Sequence, residues 1–310
     1  MVSKQERIAG GLIGLLVGDA LGVPYEFHAP QEIPAISEIE FTPPLGYSRS
    51  HAQVPPGTWS DDGAQALCLL ASLLQYGHFD PEDFGRRLLN WYDWGYMAVD
   101  GLVFDVGIQT GQAIRVLRTG TPALQAGLTA ESANGNGSLM RVLPLALWHK
   151  GTDAELVADA RAQSQVTHGH LRSQLCCALY CLWARAILQE CLNPWDDAVQ
   201  NLRQTLANDA AAIGELEFFI RPDAPPEGKG SGYVVDCLRS ARMVLLKENG
   251  YEQVVKASIQ LGNDTDTTAC VAGGMAGLRE GISAIPSRWR DGLRGNELLE
   301  PLLEKLLSSS

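Results

Sequence analysis

Between residues 8 and 18 the chain sets Gly10, Gly14 and Gly18 four positions apart in an apolar run that includes Ile8, Leu12, Leu15, Leu16 and Val17. Intervals of four place the three glycines on one face of an α-helix, and a face without side chains lets a second helix backbone come close. A helix over about residues 5–20 that is apolar on its other faces belongs inside a core. Lys4 and Arg7 ahead of it give a superficial likeness to a signal peptide. The apolar run is too short to span a bilayer, continues into Gly18-Asp19 and lacks a small-residue cleavage site, so no membrane association is expected.

The rest of the sequence repeats the helical signal and offers few strand signals. Apolar residues at spacings of three and four, with turn residues between them, predict helices near 62–76, 81–95, 106–118, 138–149, 153–165, 170–190, 195–211, 233–247, 251–261, 266–280 and 296–307. This predicts an all-α fold, one compact helical domain over 1–310. Two irregular stretches interrupt it. Residues 22–60 hold Pro24, Pro30, Pro34, Pro43, Pro44, Pro55 and Pro56, and residues 221–232 are rich in Pro and Gly; loops of such length are usually functional or mobile.

A formal net charge of −12 argues against nucleic acid, because neutralising phosphates takes clustered Lys and Arg. A small anion remains admissible if helix N-termini or bound cations supply positive potential. The seven cysteines have no C-x-x-C spacing and mostly fall in apolar runs. They read as reduced core residues of a cytoplasmic protein.

Two acidic clusters open helical runs. Ser60-Asp61-Asp62 precedes Ala64–Leu74, and Asn263-Asp264-Thr265-Asp266-Thr267-Thr268 precedes Ala269–Leu278. Each has a plain reading as an N-cap, since Ser and Asp accept free backbone N–H groups at the positive end of a helix. Capping needs one side chain, however, and the surplus carboxylates repel one another unless a cation lies between them. Should the clusters meet, Ser60, Asp61, Asp62, Asp264, Asp266 and Thr267 form an all-oxygen set without His or Cys, suited to Mg²⁺ or Mn²⁺ rather than Zn²⁺. Four carboxylates balance two divalent ions.

Three further elements carry weaker signals. Gly18-Asp19-Ala20-Leu21-Gly22 ends a helix and leads to Glu26, an acid among apolar neighbours whose pKa burial can raise toward catalytic use. Asn134-Gly135-Asn136-Gly137-Ser138 is either a simple turn or a loop presenting N–H groups to a phosphate at a helix start. His168 and His170 flank Gly169, and without a third His or a nearby Cys they do not suggest zinc.

In this order, together with Trp59, Met140-Arg141 and the Gly262–Thr268 run, these motifs resemble the ADP-ribosylglycohydrolase family across about residues 7–281. The resemblance implies an orthogonally packed all-α fold with a binuclear Mg²⁺ or Mn²⁺ centre. Carried over residue by residue, it implies metal ligation by Ser60, Asp61, Asp62, Asp264, Asp266 and Thr267, and a Glu26 beside the scissile bond. It also implies ADP-ribose contacts from Asn134, Gly135, Asn136, Gly137, Ser138 and His168, with Tyr233 as an aromatic near the substrate. This chain departs from the family pattern at Ser60 and Gly63, where threonine is usual; Ser60 keeps a ligating hydroxyl, whereas Gly63 keeps no side chain. The implied activity is metal-dependent hydrolysis of the N-glycosidic bond between ADP-ribose and a modified side chain, with arginine preferred. The substrate is then an ADP-ribosylated protein and the product free ADP-ribose; Glu26 manages a proton or the 2′-hydroxyl, and Asp62 helps to polarise water. The competing readings are hydrolysis of serine-linked or small-molecule conjugates, a non-catalytic ADP-ribose- or toxin-binding member, and a metal-dependent phosphohydrolase.

Overall fold

Ser3 starts the first helix with a capping box: its hydroxyl accepts the Glu6 N–H while the Glu6 carboxylate accepts the Ser3 N–H. In the computed structural model, which describes residues 2–309, this helix is α1 (Lys4–Gly22), buried on every side from Ile8 to its end. By length and composition α1 passes for a membrane span, yet 94% of its apolar window is packed inside the protein. The helices that follow are α2 (Asp61–Tyr76), α3 (Pro81–Trp94), α4 (Ile108–Arg118), α5 (Leu143–Trp148), α6 (Asp153–Gln165) and α7 (Leu171–Leu188). The remainder are α8 (Pro194–Thr205), α9 (Ala210–Gly214), α10 (Val234–Lys247), α11 (Tyr251–Ile259), α12 (Thr265–Glu280), α13 (Ser287–Gly292) and α14 (Asn296–Ser308). Among the described residues there is no strand, and only two isolated bridges join Leu128 to His168 and Gly135 to Tyr233. The all-α expectation holds.

The glycine face of α1 finds its partner in α12, which runs antiparallel to it. A Cβ on Gly10 would lie 2.3 Å from the Gly277 carbonyl oxygen, one on Gly14 2.6 Å from that of Gly273, and one on Gly18 2.1 Å from that of Ala269. The need is mutual, since a Cβ on Gly277 would lie 2.0 Å from the Gly10 oxygen. Each glycine inside a helix costs about 1 kcal/mol relative to alanine. Full burial of Leu12, Leu15, Leu16 and Leu21, at roughly 2 kcal/mol each, offsets that cost. The seam ends where a Cβ on Gly22 would meet the Asp266 Cα at 2.4 Å, so it fixes the end of α1 against the acidic start of α12.

Two predicted helices are corrected and one helix is added. The helix placed at 138–149 starts only at Leu143, with Ser138–Arg141 in turns. Pro144 has no N–H for the Met140 carbonyl and its ring would clash there, so no helix can run through from residue 138. The helix placed at 195–211 stops at Thr205, and Asp209 caps a new one by accepting the Ala212 N–H at 3.0 Å. A π-helical turn, Glu215–Ile220, follows. The short α13, which has no periodicity to reveal it, was not anticipated; its buried Trp289 donates to Glu40 Oε2 at 2.5 Å.

That contact is one of several that pin the irregular 22–60 stretch to the helical body. Tyr25 donates its hydroxyl to the Glu40 carbonyl at 2.8 Å. Phe27 N–H donates to the Asn263 carbonyl and Asn263 N–H to the His28 carbonyl, each at 2.7 Å. The segment after α1 is thereby tied beside the loop that starts α12.

Candidate active site

The two acidic clusters meet. Asp61 and Asp62 open α2, Asp264 and Asp266 flank the start of α12, and Thr267 Oγ1 donates across to Asp62 Oδ2 at 3.3 Å. Ser60 is the N-cap of α2, accepting the Asp62 N–H at 3.2 Å, so the plain capping reading is correct for that residue. It does not account for the rest. Asp264 occupies the N-cap of α12 without a side-chain cap bond, and its Oδ2 accepts from Asn136 Nδ2 at 2.9 Å. Asp62 Oδ1 and Asp266 Oδ2 are buried with no hydrogen-bond partner. The carboxylate oxygens of Glu26, Asp264 and Asp266 lie within 4.8 Å of one another.

Burial, reinforced by mutual repulsion, pushes Asp61, Asp62 and Asp266 well above the usual carboxylate range. Burial raises Glu26 to about 10, with Asp105, Asp264 and Asp62 adding to the shift. A site where several carboxylates are this strongly driven to protonate is one that stabilising cations suit. The donors present fit such ions: hard carboxylate and hydroxyl oxygens with orphaned lone pairs, beside a Cys270 thiol that burial and the neighbouring carboxylates keep protonated.

Above this acidic floor opens a cleft of about 750 Å³. Glu26, Asp61, Asp264 and Thr267 reach its surface, whereas Asp62 and Asp266 lie behind them, fully buried. The wall contains Asn134, Gly135, Asn136, Gly137, His168 and Tyr233. The 134–137 segment is strung between the Gly232–Val234 backbone and its own side-chain bonds. Asn136 N–H donates to the Gly232 carbonyl at 3.0 Å, Val234 N–H to that of Asn134 at 2.9 Å, and Asn134 Oδ1 accepts from Ser173 at 3.0 Å. Tyr233 caps α10 and is 39% exposed at the mouth, its hydroxyl held by Arg172 Nη1 at 3.2 Å.

Ser138 is not brought to the cleft. Its hydroxyl is fully buried, 2.9 Å from Ser164 Oγ and 3.4 Å from Cys177 Sγ. Because no helix starts at residue 138, the 134–138 loop also has no helix N-terminus to offer an anion, contrary to the sequence reading. What it contributes is bare backbone: a Cβ on Gly137 would stand 2.9 Å from the His168 ring.

Three residues given no role from the sequence belong to the site. Asp19, fully buried at the end of α1, accepts the Ser60 N–H at 2.9 Å and the Gly63 N–H at 2.8 Å, thereby capping α2 from another helix. Burial raises it to about 7, against those bonds. His51 Nε2 lies 2.8 Å from Glu26 Oε2 and 3.9 Å from Asp105 Oδ1. Asp105, likewise raised by burial, sits at the cleft wall. His51 and Asp105 come from irregular segments where no periodicity marks an inward-facing position. Asp19 had a signal, a charged residue in an apolar helix, which the glycine-terminated helix end obscured.

Gly63 has a local explanation. A Cβ there would lie 2.7 Å from Leu16 Cδ2 and 2.8 Å from Trp59 Cγ, so this packing admits no threonine. Phe27, His51, Asp105 and Asn263 adopt left-handed backbone angles, φ of 62°, 49°, 55° and 61°. Such conformations are costly for non-glycine residues and gather at functional sites.

Comparison with known proteins identifies the family. The ADP-ribosylglycohydrolase family profile matches residues 1–310. The chain is 29% identical over 307 residues to the ADP-ribosylarginine hydrolase Tri1 of Pseudomonas putida, covering 97% of this chain and 78% of that protein. It is 28% identical over 293 residues to the ADP-ribosyl-[dinitrogen reductase] glycohydrolase of Rhodospirillum rubrum, covering 93% and 90%. Among solved structures, an ADP-ribosylglycohydrolase-related protein complex superposes with a TM-score of 0.80 at 31% identity, covering both chains completely. The chain belongs to the ADP-ribosylglycohydrolase family and is a hydrolase.

Proposed function

We propose that this ADP-ribosylglycohydrolase releases ADP-ribose from ADP-ribosylated arginine side chains of proteins, using two Mg²⁺ or Mn²⁺ ions held by Ser60, Asp61, Asp62, Asp264, Asp266 and Thr267. The observation that carries this reading is the pair of buried, partnerless oxygens, Asp62 Oδ1 and Asp266 Oδ2, on two helix starts that meet under an open cleft. Arginine is the favoured linkage because the Pseudomonas putida relative is named an ADP-ribosylarginine hydrolase. The six buried free cysteines support a reducing, cytoplasmic setting.

When bound, the cations supply neutralisation of the carboxylates and acidification of a bound water. The protein's own residues supply placement and proton handling. The cleft is large enough for a dinucleotide-sized ligand, and the bare Gly135–Gly137 backbone with His168 forms the wall that receives ADP-ribose. Without cations, burial raises Glu26 to about 10; oriented by His51 at the cleft surface, its carboxyl can give a proton to the departing nitrogen. Asn136 fixes Asp264 from the wall side, so ligand wall and acidic floor share a hydrogen bond. Orientation of the bound conjugate over that floor supplies much of the rate.

The test is release of intact ADP-ribose from an arginine-ADP-ribosylated protein in the presence of Mg²⁺ or Mn²⁺. Asp62→Ala and Asp266→Ala are expected to cut the rate by about a thousandfold or more while remaining folded by circular dichroism. Release from serine-linked but not arginine-linked protein would overturn the arginine assignment, and AMP as the product would overturn glycosidic cleavage.

A further inference from the structure

Behind the site lies Arg141, fully buried, whose contacts run in two directions. Nη1 donates to Gln65 Oε1 at 2.7 Å, and Gln65 Nε2 lies 2.8 Å from Asp61 Oδ2. Nη2 donates to Thr167 Oγ1 at 2.8 Å, and that oxygen lies 2.8 Å from His168 Nδ1. Gln163 takes the remaining bonds through its side chain at 3.2 Å and its carbonyl at 3.0 Å, and Phe84 stacks beneath the guanidinium at 5.0 Å.

We propose that Arg141 is a positioning residue that sets the hydrogen-bond polarity of both halves of the site, the acidic floor through Gln65 and the ligand wall through Thr167. A guanidinium can only donate. Its bond to Gln65 therefore consumes the amide oxygen and leaves the amide nitrogen to donate to Asp61, which fixes that carboxylate's orientation. Its bond to Thr167 occupies a lone pair of the hydroxyl. Among the described residues the hydroxyl proton has no acceptor besides His168 Nδ1, so Nδ1 accepts and the ring proton resides on Nε2. Nε2 faces the cleft beside Gly135 and Gly137; a Cβ on Gly137 would stand 3.2 Å from it. His168 thus presents an N–H donor to a ligand oxygen, such as that of a diphosphate or a ribose. Lysine cannot replace the fork, because one ammonium cannot span both arms in a plane.

The ligand half of this inference rests on the proposed ADP-ribose reading; the tautomer half does not. The decisive experiment is nitrogen-15 NMR of the imidazoles in the full chain, with His168 assigned by comparison with His168→Gln. Wild type is expected to carry the proton on Nε2. Thr167→Val should lose the single tautomer and weaken ADP-ribose binding by about tenfold in calorimetry, leaving Mn²⁺ affinity unchanged, while Thr167→Ser restores both. Gln65→Met should do the reverse, weakening Mn²⁺ by about tenfold or more without altering the tautomer. Arg141→Lys should lose both, and if it fails to fold the two arm variants still decide. A proton on Nδ1 in wild type, or a Thr167→Val protein with an unchanged tautomer and unchanged ADP-ribose affinity, overturns the assignment. Wild type that holds the Nε2 proton but does not bind ADP-ribose supports the relay and sinks the proposed ligand.

Discussion

The floor of the cleft and its mouth are built on opposite principles. The floor joins the starts of α2 and α12; Asp19 of α1 holds the first, and the second is clamped to α1 by a glycine seam in which added Cβ atoms would fall 2.0–2.6 Å from a facing carbonyl oxygen. The mouth is made of residues in loops and at helix starts such as Phe27, Ile108 and Tyr233, which are 70%, 81% and 39% exposed. Charge is concentrated in the buried part that the helix packing holds, and apolar surface is displayed at the exposed rim. A cluster of repelling carboxylates needs a frame stiffer than the repulsion it contains, whereas a surface that meets a large, variable substrate gains from adaptability.

This contrast can be broken most severely at the seam. Gly18→Val places branched side-chain atoms against the Ala269 carbonyl, and since backbone on both sides is helical, neither can yield cheaply. A loss of about 4 kcal/mol or more is expected, read as a collapse of the urea midpoint or as insoluble protein. A variant with wild-type stability would show that α1 and α12 are not the rigid frame described.

A smaller effect of opposite sign is expected on the floor. In chelated protein, Asp62→Asn should be more stable than wild type by about 1–3 kcal/mol near pH 8, because it replaces a buried acid that the fold keeps from ionising. The sign follows from linkage. The folded pKa values of Asp19 and Glu26, about 7 and 10, and of Asp62 lie above their unfolded values. Their contribution is therefore fully present below about pH 4 and is lost as pH rises through about 7 toward 10. Thermal midpoints of chelated wild type should fall across that window, and added Mn²⁺ should restore them. A midpoint that rises with pH in chelated protein would contradict a buried, uncompensated floor.

The mouth should respond least. Phe27→Gly relieves a left-handed φ of 62° and removes an exposed ring, so stability is expected to rise by about 1 kcal/mol. Turnover should fall severalfold because the ring packed on His51, the residue that orients Glu26, is removed. Unchanged turnover would separate the mouth from catalysis altogether.

Much of the floor was legible in the sequence because it is local. Surplus oxygen at two helix starts and glycines at intervals of four are visible without coordinates. The proline-rich stretch marked its own irregularity, but not that Asn263 would exchange backbone bonds with Phe27 and His28 and so bring Glu26 to Asp264. Ser138 illustrates the opposite failure: it belongs to a motif that reads as ligand-facing, yet Pro144 stops the helix that would have aimed it there, and its hydroxyl turns into the core.

By itself, then, the sequence determined the all-α architecture, the closeness of α1 to some other helix and the surplus of carboxylate and hydroxyl oxygens at two helix starts. Helical periodicity, missing side chains and side-chain oxygens are properties of short segments. Only the tertiary structure decided that the partner helix is α12, that Asp62 and Thr267 touch across 205 positions, and that Asp19, His51 and Asp105 join them. Those facts depend on contacts between distant segments, whose pairing is selected by the packing of the whole core rather than by any local pattern.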